Sequence, residues 1–215
     1  MTRSVLLLVG GALVVSAVGI FMLRPTRTED LFGTRSVHSD EVAAGGVFIP
    51  NLGQVASDAF FYLKRDGSTI LLRATSIDFE VQPSSDGPGH VGLHFVAASR
   101  SPKVMGLKPL TGVTGFRAVK YQGLYRGIDL RIEAAAERLS VAFILAPGAD
   151  PGLILFKADG LDEGLVGTPK AYQAKDGLRT PVSVSFEPGR YGSTLLALGP
   201  YDVDVPIRID FEIRF

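Results

Sequence analysis

The residues able to carry out chemistry are few and scattered. The histidines are His38, His90 and His94. Positions 90 and 94 share a face of a strand but lie about 13 Å apart at about 3.3 Å per residue, too far to bind one metal ion together. The chain has no cysteine, so disulfides, thiolate ligands and thiol nucleophiles are excluded. It contains no His-Glu-x-x-His, no Gly-x-Ser-x-Gly and no glycine-rich phosphate loop opening a helix. A Ser-His-Asp arrangement would have to be assembled from distant residues. Two acidic groups remain. Asp202 and Asp204 are spaced i, i+2, with Arg208 as a same-face partner, and Asp159, Asp162 and Glu163 fall within a glycine-rich stretch, residues 158–164. Loop carboxylates can hold Ca²⁺, although a solvated turn is the simpler reading. A glycosidase pair would need a cleft that nothing in the pattern locates. No catalytic residue, metal ligand or cofactor site is expected.

The most motif-like segment is Leu124-Tyr125-Arg126-Gly127. Two readings stand side by side. Tyr125 and Arg126 form an exposed recognition pair, since both residue types are enriched at interface hot spots. Alternatively, Gly127 supplies the permissive backbone of a turn and Tyr125 packs inward as a plug. They are the candidate interaction residues of the chain.

Strands must position them. Ile77, Phe79 and Val81 alternate with polar residues, as do Val91, Leu93 and Phe95, and then Ile128, Leu130 and Ile132. Leu139, Val141, Phe143 and Leu145 share one face; Val182, Val184 and Phe186 share another. Odd residues from Val203 to Phe215 alternate with Asp204, Pro206, Arg208, Asp210, Glu212 and Arg214. Successive side chains of a strand point to opposite faces, so each run is a ribbon with one apolar and one wet side. Asp66-Gly67, Pro147-Gly148, Asp150-Pro151 and Asp176-Gly177 supply the tight connections. The spacing predicts a mainly β, antiparallel, sandwich-like domain over residues 47–215, with Phe79, Phe95, Ile128, Leu130, Ile132, Phe143, Phe186 and Phe211 pointing inward.

The first 46 residues differ. Val5–Leu23 holds no charge, with Arg3 before it and Arg24 after it. As a helix it would span about 28 Å, close to the hydrocarbon thickness of a bilayer. Its anchor residues are Val5, Leu6, Leu7, Leu8, Val9, Leu13, Val14, Val15, Val18, Ile20, Phe21, Met22 and Leu23. A cleaved signal peptide, cut after Gly19, is the competing reading. The expectation is one N-terminal transmembrane helix within residues 1–23, followed by a tether over 24–46, where Pro25 stops the helix and the apolar density is lost.

Composition narrows the partners. The chain has 215 residues, with 22 Lys+Arg against 22 Asp+Glu and 46% hydrophobic residues. Zero net charge argues against coating nucleic acid, and the apolar content argues against a disordered chain.

Phe48-Ile49-Pro50-Asn51-Leu52-Gly53-Gln54 is similar to the F-x-x-N-x-G-Q opening of a bacterial domain of unknown function. That domain stands at the N-terminus of secreted proteins with SBBP (β-propeller-type) repeats. The segments at 104–112, 121–130, 146–151 and 171–177 match it in the same order, so the resemblance covers about Val47 to Asp210. The chain departs from the family's pattern in lacking Trp, a longer insertion after the second motif, and the repeats themselves. The resemblance implies an extracytoplasmic β module with no enzymatic activity. The domain is therefore expected on the periplasmic side of a bacterial cytoplasmic membrane, anchored by one span.

The function expected is non-enzymatic protein–protein contact, as a structural or accessory subunit of a membrane-associated complex, with the bilayer and a protein as partners. A surface carbohydrate-binding or adhesive domain is the alternative, weakened by the absence of Trp. A cryptic hydrolase is the remote one.

Overall fold

The computed structural model describes residues 46–65, 68–81, 91–112, 114–135, 137–161 and 164–214. Val5–Leu23 and the tether up to residue 45 lie outside them. Among the described residues no helix is long and apolar enough to cross a membrane.

The alternating runs become strands, in chain order β1 (Ile49–Pro50), β2 (Ala59–Arg65), β3 (Ser68–Arg73), β4 (Ser76–Val81), β5 (Val91–Phe95), β6 (Lys103–Pro109), β7 (Phe116–Tyr125), β8 (Ile128–Ala134), β9 (Arg138–Leu145), β10 (Leu155–Asp159), β11 (Lys170–Lys175), β12 (Leu178–Val182), β13 (Val184–Pro188), β14 (Thr194–Leu198) and β15 (Ile207–Arg214). They form two antiparallel sheets. One has the order β1-β2-β3-β4-β5-β10-β14-β13 and the other β12-β11-β15-β9-β8-β7-β6. The inner faces meet in one core. Phe79, Phe95, Ile128, Leu130, Ile132, Phe143 and Phe211 are buried in it, and Phe186 is half-buried against the rings of Phe156 and Phe211. This is the sandwich that the period-two pattern predicts.

The sheets are stitched at both sides. Phe48, fully buried, exchanges two backbone hydrogen bonds of 2.9 Å with Phe116 at the start of β7, tying the β1 side of one sheet to the other. On the opposite side the chain itself crosses. Val182, Val184 and Phe186 do not form one strand as expected: β12 ends at Val182 in one sheet and β13 begins at Val184 in the other. The Ser183 carbonyl accepts from the Gly199 N–H at 2.9 Å, which turns the chain over.

The last strand is shorter than its sequence alternation. β15 starts at Ile207, and its odd residues Ile207, Ile209, Phe211 and Ile213 are buried. Upstream, the Gln173 amide donates to the carbonyls of Asp202 and Val205 at 2.6 and 2.9 Å and accepts from the Asp202 N–H at 2.9 Å. This arch leaves Val203 exposed instead of in the strand face. β15 lies between β11 and β9, so it is a central strand with neighbours on both sides, not an edge.

Entry and exit share one end of the sandwich. Gly46 packs beside Leu63, Arg65 and Ala134. Ala134 pairs with Leu139, and Arg214 pairs with Arg138 next to it.

Candidate contact surface

Asn51 builds the loop that leads from β1 to β2. Its side-chain oxygen accepts from the N–H groups of Gly53 and Gln54 at 3.0 and 3.1 Å, and its amide donates to the carbonyls of Ala56 and Ala59 at 2.8 and 2.9 Å. An Asx side chain satisfies a loop's backbone groups in this way without any regular ladder. Ile49 and Val55 then pack on Ala59, Tyr62 and Leu71, on the side of the sheet away from the main core. The Phe48–Gln54 motif is thus accounted for by architecture, and Leu52 stands exposed at the tip it creates.

Tyr125 and Arg126 part company. Tyr125 ends β7 and is buried, only 6% exposed, and its hydroxyl donates to the Leu155 carbonyl across the sandwich at 2.9 Å. Burial pushes its phenol pKa up. Arg126 and Gly127 make the turn into β8, with Gly127 at φ 74°, the left-handed region that glycine enters without steric penalty. A Cβ there would also sit 3.1 Å from the Ala149 Cβ. The exposed-pair reading therefore fails for Tyr125, which is the plug, and Arg126 alone faces solvent.

Titratable groups gather on the outer face of β3, β4 and β5. Asp78 is buried there beside Arg73, with which it forms an ion pair, and Ser76 donates to its Oδ2 at 2.9 Å. Arg73 also reaches Asp58 at 2.8 Å, which fastens the Asn51 loop to the sheet. His94 Nε2 is 3.7 Å from Asp78 Oδ1 and 3.7 Å from Asp159 Oδ2, beyond hydrogen-bond length in both directions. The order is therefore Ser–Asp–His, with the hydroxyl bonded to the carboxylate. A nucleophilic serine needs the imidazole as its base, so this set does not form a catalytic triad. No group of three His, Asp or Glu side chains among the described residues is arranged to hold a metal ion.

The remaining acidic candidates fall only partly within the described residues. His90, Asp162 and Glu163 lie outside the described residues. The Asp202 carboxylate accepts from the Asp204 N–H at 3.0 Å, a local turn, while Arg208 pairs with Asp210 at 2.8 Å instead of with either.

Residues 106–167 match the model of a family described as a domain of unknown function (DUF7948). The match runs from the middle of β6 through β10 and takes in the Tyr125–Gly127 turn. It covers less than half of the chain. Neither a curated protein nor a solved structure matches.

A second turn is built from the same residue types, and the alternation pattern does not single it out. Gly189-Arg190-Tyr191-Gly192 joins β13 to β14, and here the tyrosine is 80% exposed. Its backbone sits at φ 60°, ψ 31°, and Gly192 follows at φ 67°. The Ser193 N–H closes the turn on the Arg190 carbonyl at 3.1 Å. Paired positive φ values are the signature of a type I′ turn, whose usual residues are Asn-Gly and Asp-Gly. The flanking glycines signal a turn in the sequence, but residue types alone do not predict a left-handed tyrosine between them.

Proposed function

We propose that this chain is a non-enzymatic, extracytoplasmic β module that acts by protein contact and is held to the membrane by Val5–Leu23. The observation that supports contact rather than chemistry is the placement of the exposed apolar side chains. Among the described residues, the large ones are Leu52, Phe60, Leu178, Tyr191 and Val203. Leu52, Tyr191 and Val203 stand on loop tips or turns, Leu178 opens β12 directly after the Asp176–Gly177 turn, and Phe60 alone of the five lies within a strand, β2. The charged side chains of the sheet faces, by contrast, are engaged with one another: Arg73 with Asp78, Lys108 with Glu133, Lys120 with Asp129, Arg208 with Asp210. Apolar residues displayed on a scaffold's loops, with the scaffold's own polar groups consumed internally, suit recognition of another surface.

The sequence likeness to the opening domain of secreted SBBP-repeat proteins supports the extracytoplasmic side. Entry of the chain at Gly46, next to a fully buried Phe48, supports a firm joint between tether and domain. An anchor of this kind raises local concentration and makes a modest intrinsic affinity sufficient.

Extraction of native membranes in mild detergent tests the reading. The full chain is expected in the membrane fraction, with an N-terminus preceding Val5, and to co-purify with the same protein partner in repeated preparations. A soluble form starting near Ile20 that purifies alone and is eluted by free glycan would replace this reading with the carbohydrate-binding one.

A further inference from the structure

We infer that the Arg190–Tyr191 turn is the contact point for a protein partner whose surface offers an apolar pocket for the ring beside a carboxylate for the guanidinium. The inference rests on the contact-module reading above and locates its surface.

Three observations carry it. First, the fold makes no use of the Tyr191 side chain, which is 80% exposed and has no hydrogen bond or ring contact among the described residues. Second, the fold disfavours a tyrosine at this position. An L-residue in the left-handed region crowds its Cβ against the following carbonyl, and Asn, Asp or Gly would fill the position at less strain. In the β11–β12 turn the same chain does so, with Asp176 at φ 51° and Gly177 at φ 79°. Ala97 at φ 56° and Lys108 at φ 54° also occupy this region, but Ala97 is small and the Lys108 side chain is held by its ion pair with Glu133. Strain held in a bulky residue is informative where the surroundings enforce it. Third, they do enforce it. Ser193, itself buried, donates its hydroxyl to the Arg190 carbonyl at 2.5 Å and its N–H to the same oxygen at 3.1 Å, and the Gly189 N–H donates to the Ser193 carbonyl at 2.7 Å. The ring is therefore presented on a braced turn, so little freedom is lost when a partner takes it up.

The chemistry of the partner follows from the two side chains. An exposed tyrosine offers a large apolar face with a polar tip and few rotatable bonds, the properties that make it an interface anchor. Arg190 is exposed beside it and has no ion-pair partner among the described residues. Guanidinium forks pair with carboxylates in two parallel hydrogen bonds, which adds orientation to the contact. Strand addition to the neighbouring edge is a poorer alternative. The Gly189–Ser193 and Ser183–Gly199 hydrogen bonds set which residues of β13 face β14, and the alternation turns residue 188 to the open side, where a proline has no N–H to offer.

Photo-crosslinking in the membranes of cells that make the full-length chain tests the inference. The probe p-benzoylphenylalanine is placed in turn at positions 191, 190, 52 and 122, the last being exposed Gln122 on β7. One and the same protein adduct is expected from 191 and 190 and not from 122. In a Tyr191→Asn background the adduct from 190 should fall at least tenfold. That variant should melt cooperatively at an equal or higher temperature, with a rise of about 2–4 °C if the strain is fully relieved. An adduct from 52 or 122 but not from 190 or 191 overturns this placement and leaves the contact-module reading standing. No protein adduct from any of the four overturns both. Adducts displaced by free oligosaccharide overturn the protein partner in favour of a sugar, and a Tyr191→Asn variant that melts lower shows the ring to be part of the fold.

Discussion

Tyr, Arg and Gly meet in two turns of this molecule, and their order decides what each does. In Tyr125-Arg126-Gly127 the tyrosine comes before the turn, on the last inward position of β7, and is buried with its hydroxyl on the Leu155 carbonyl. Glycine takes the left-handed position, φ 74°. In Arg190-Tyr191-Gly192 the arginine comes first and the tyrosine itself is pushed to φ 60°, with its ring in solvent. The first turn obeys every local preference and serves the core. The second breaks one, and among the described residues the Tyr191 ring makes no hydrogen bond or ring contact that would offset it. Composition of a motif is therefore a weak guide to its role; its phase against the strand pleat is a strong one.

The widest separation between the turns should come from truncating the two rings. Tyr125→Ala removes a buried aromatic that spans the sandwich, and about 3–5 kcal/mol of stability should be lost in urea unfolding. Tyr191→Ala should stay within about 0.5 kcal/mol of the parent protein. Equal losses at both would erase the distinction.

Gly127→Ala should come next, at about 1–2 kcal/mol, because it places a Cβ in the left-handed region and against Ala149. A neutral result would mean that the turn relaxes freely and is not fixed by its neighbours.

Tyr125→Phe sharpens the comparison further. The Leu155 carbonyl also accepts from the Val96 N–H at 2.8 Å, so it stays bonded when the phenol is removed. The loss at neutral pH should be about 0.5–1 kcal/mol, the lower part of the range for one hydrogen bond. The pH dependence is the more telling readout. Burial raises the Tyr125 phenol pKa, and burial with the nearby Asp78 charge raises that of Tyr121. Unfolded tyrosine ionises near about pH 10. Below that the neutral-phenol contribution is fully present; above it the unfolded chain binds fewer protons than the folded one, so stability falls as pH rises. Removing one phenol should flatten this alkaline loss by at most about 1.4 kcal/mol per pH unit. An unchanged alkaline slope for Tyr125→Phe would place its hydroxyl in solvent.

Much of this architecture is legible before any coordinates. Alternation places Ile128, Leu130 and Ile132 in the core because period two is a property of the strand itself. Gly127 marks a turn for the same kind of local reason. What escapes is long-range. Asp202–Asp204 continues the alternation of β15 on paper, but the Gln173 amide, on another strand, folds those residues into an arch. Val182 and Val184 look like one ribbon until the Ser183 carbonyl is claimed by Gly199. The tether-side motif is partly legible: Asn51 and Gly53 announce a loop, but nothing in the sequence says that Phe48 bridges the sheets. The Tyr191 turn is not legible because propensity assigns left-handed positions to Gly, Asn and Asp, and a tyrosine there is found only from its φ value.

The most direct test is also among the smaller expected effects. The account holds that Tyr191 is maintained at the expense of the fold, so Tyr191→Asn should stabilise the full-length protein. Urea unfolding of this variant beside the parent should show a gain of about 0.5–1 kcal/mol, the relief of a left-handed aromatic by a residue that tolerates the conformation. A loss of more than about 0.5 kcal/mol would show that the ring is a structural element of the sandwich and would contradict the account.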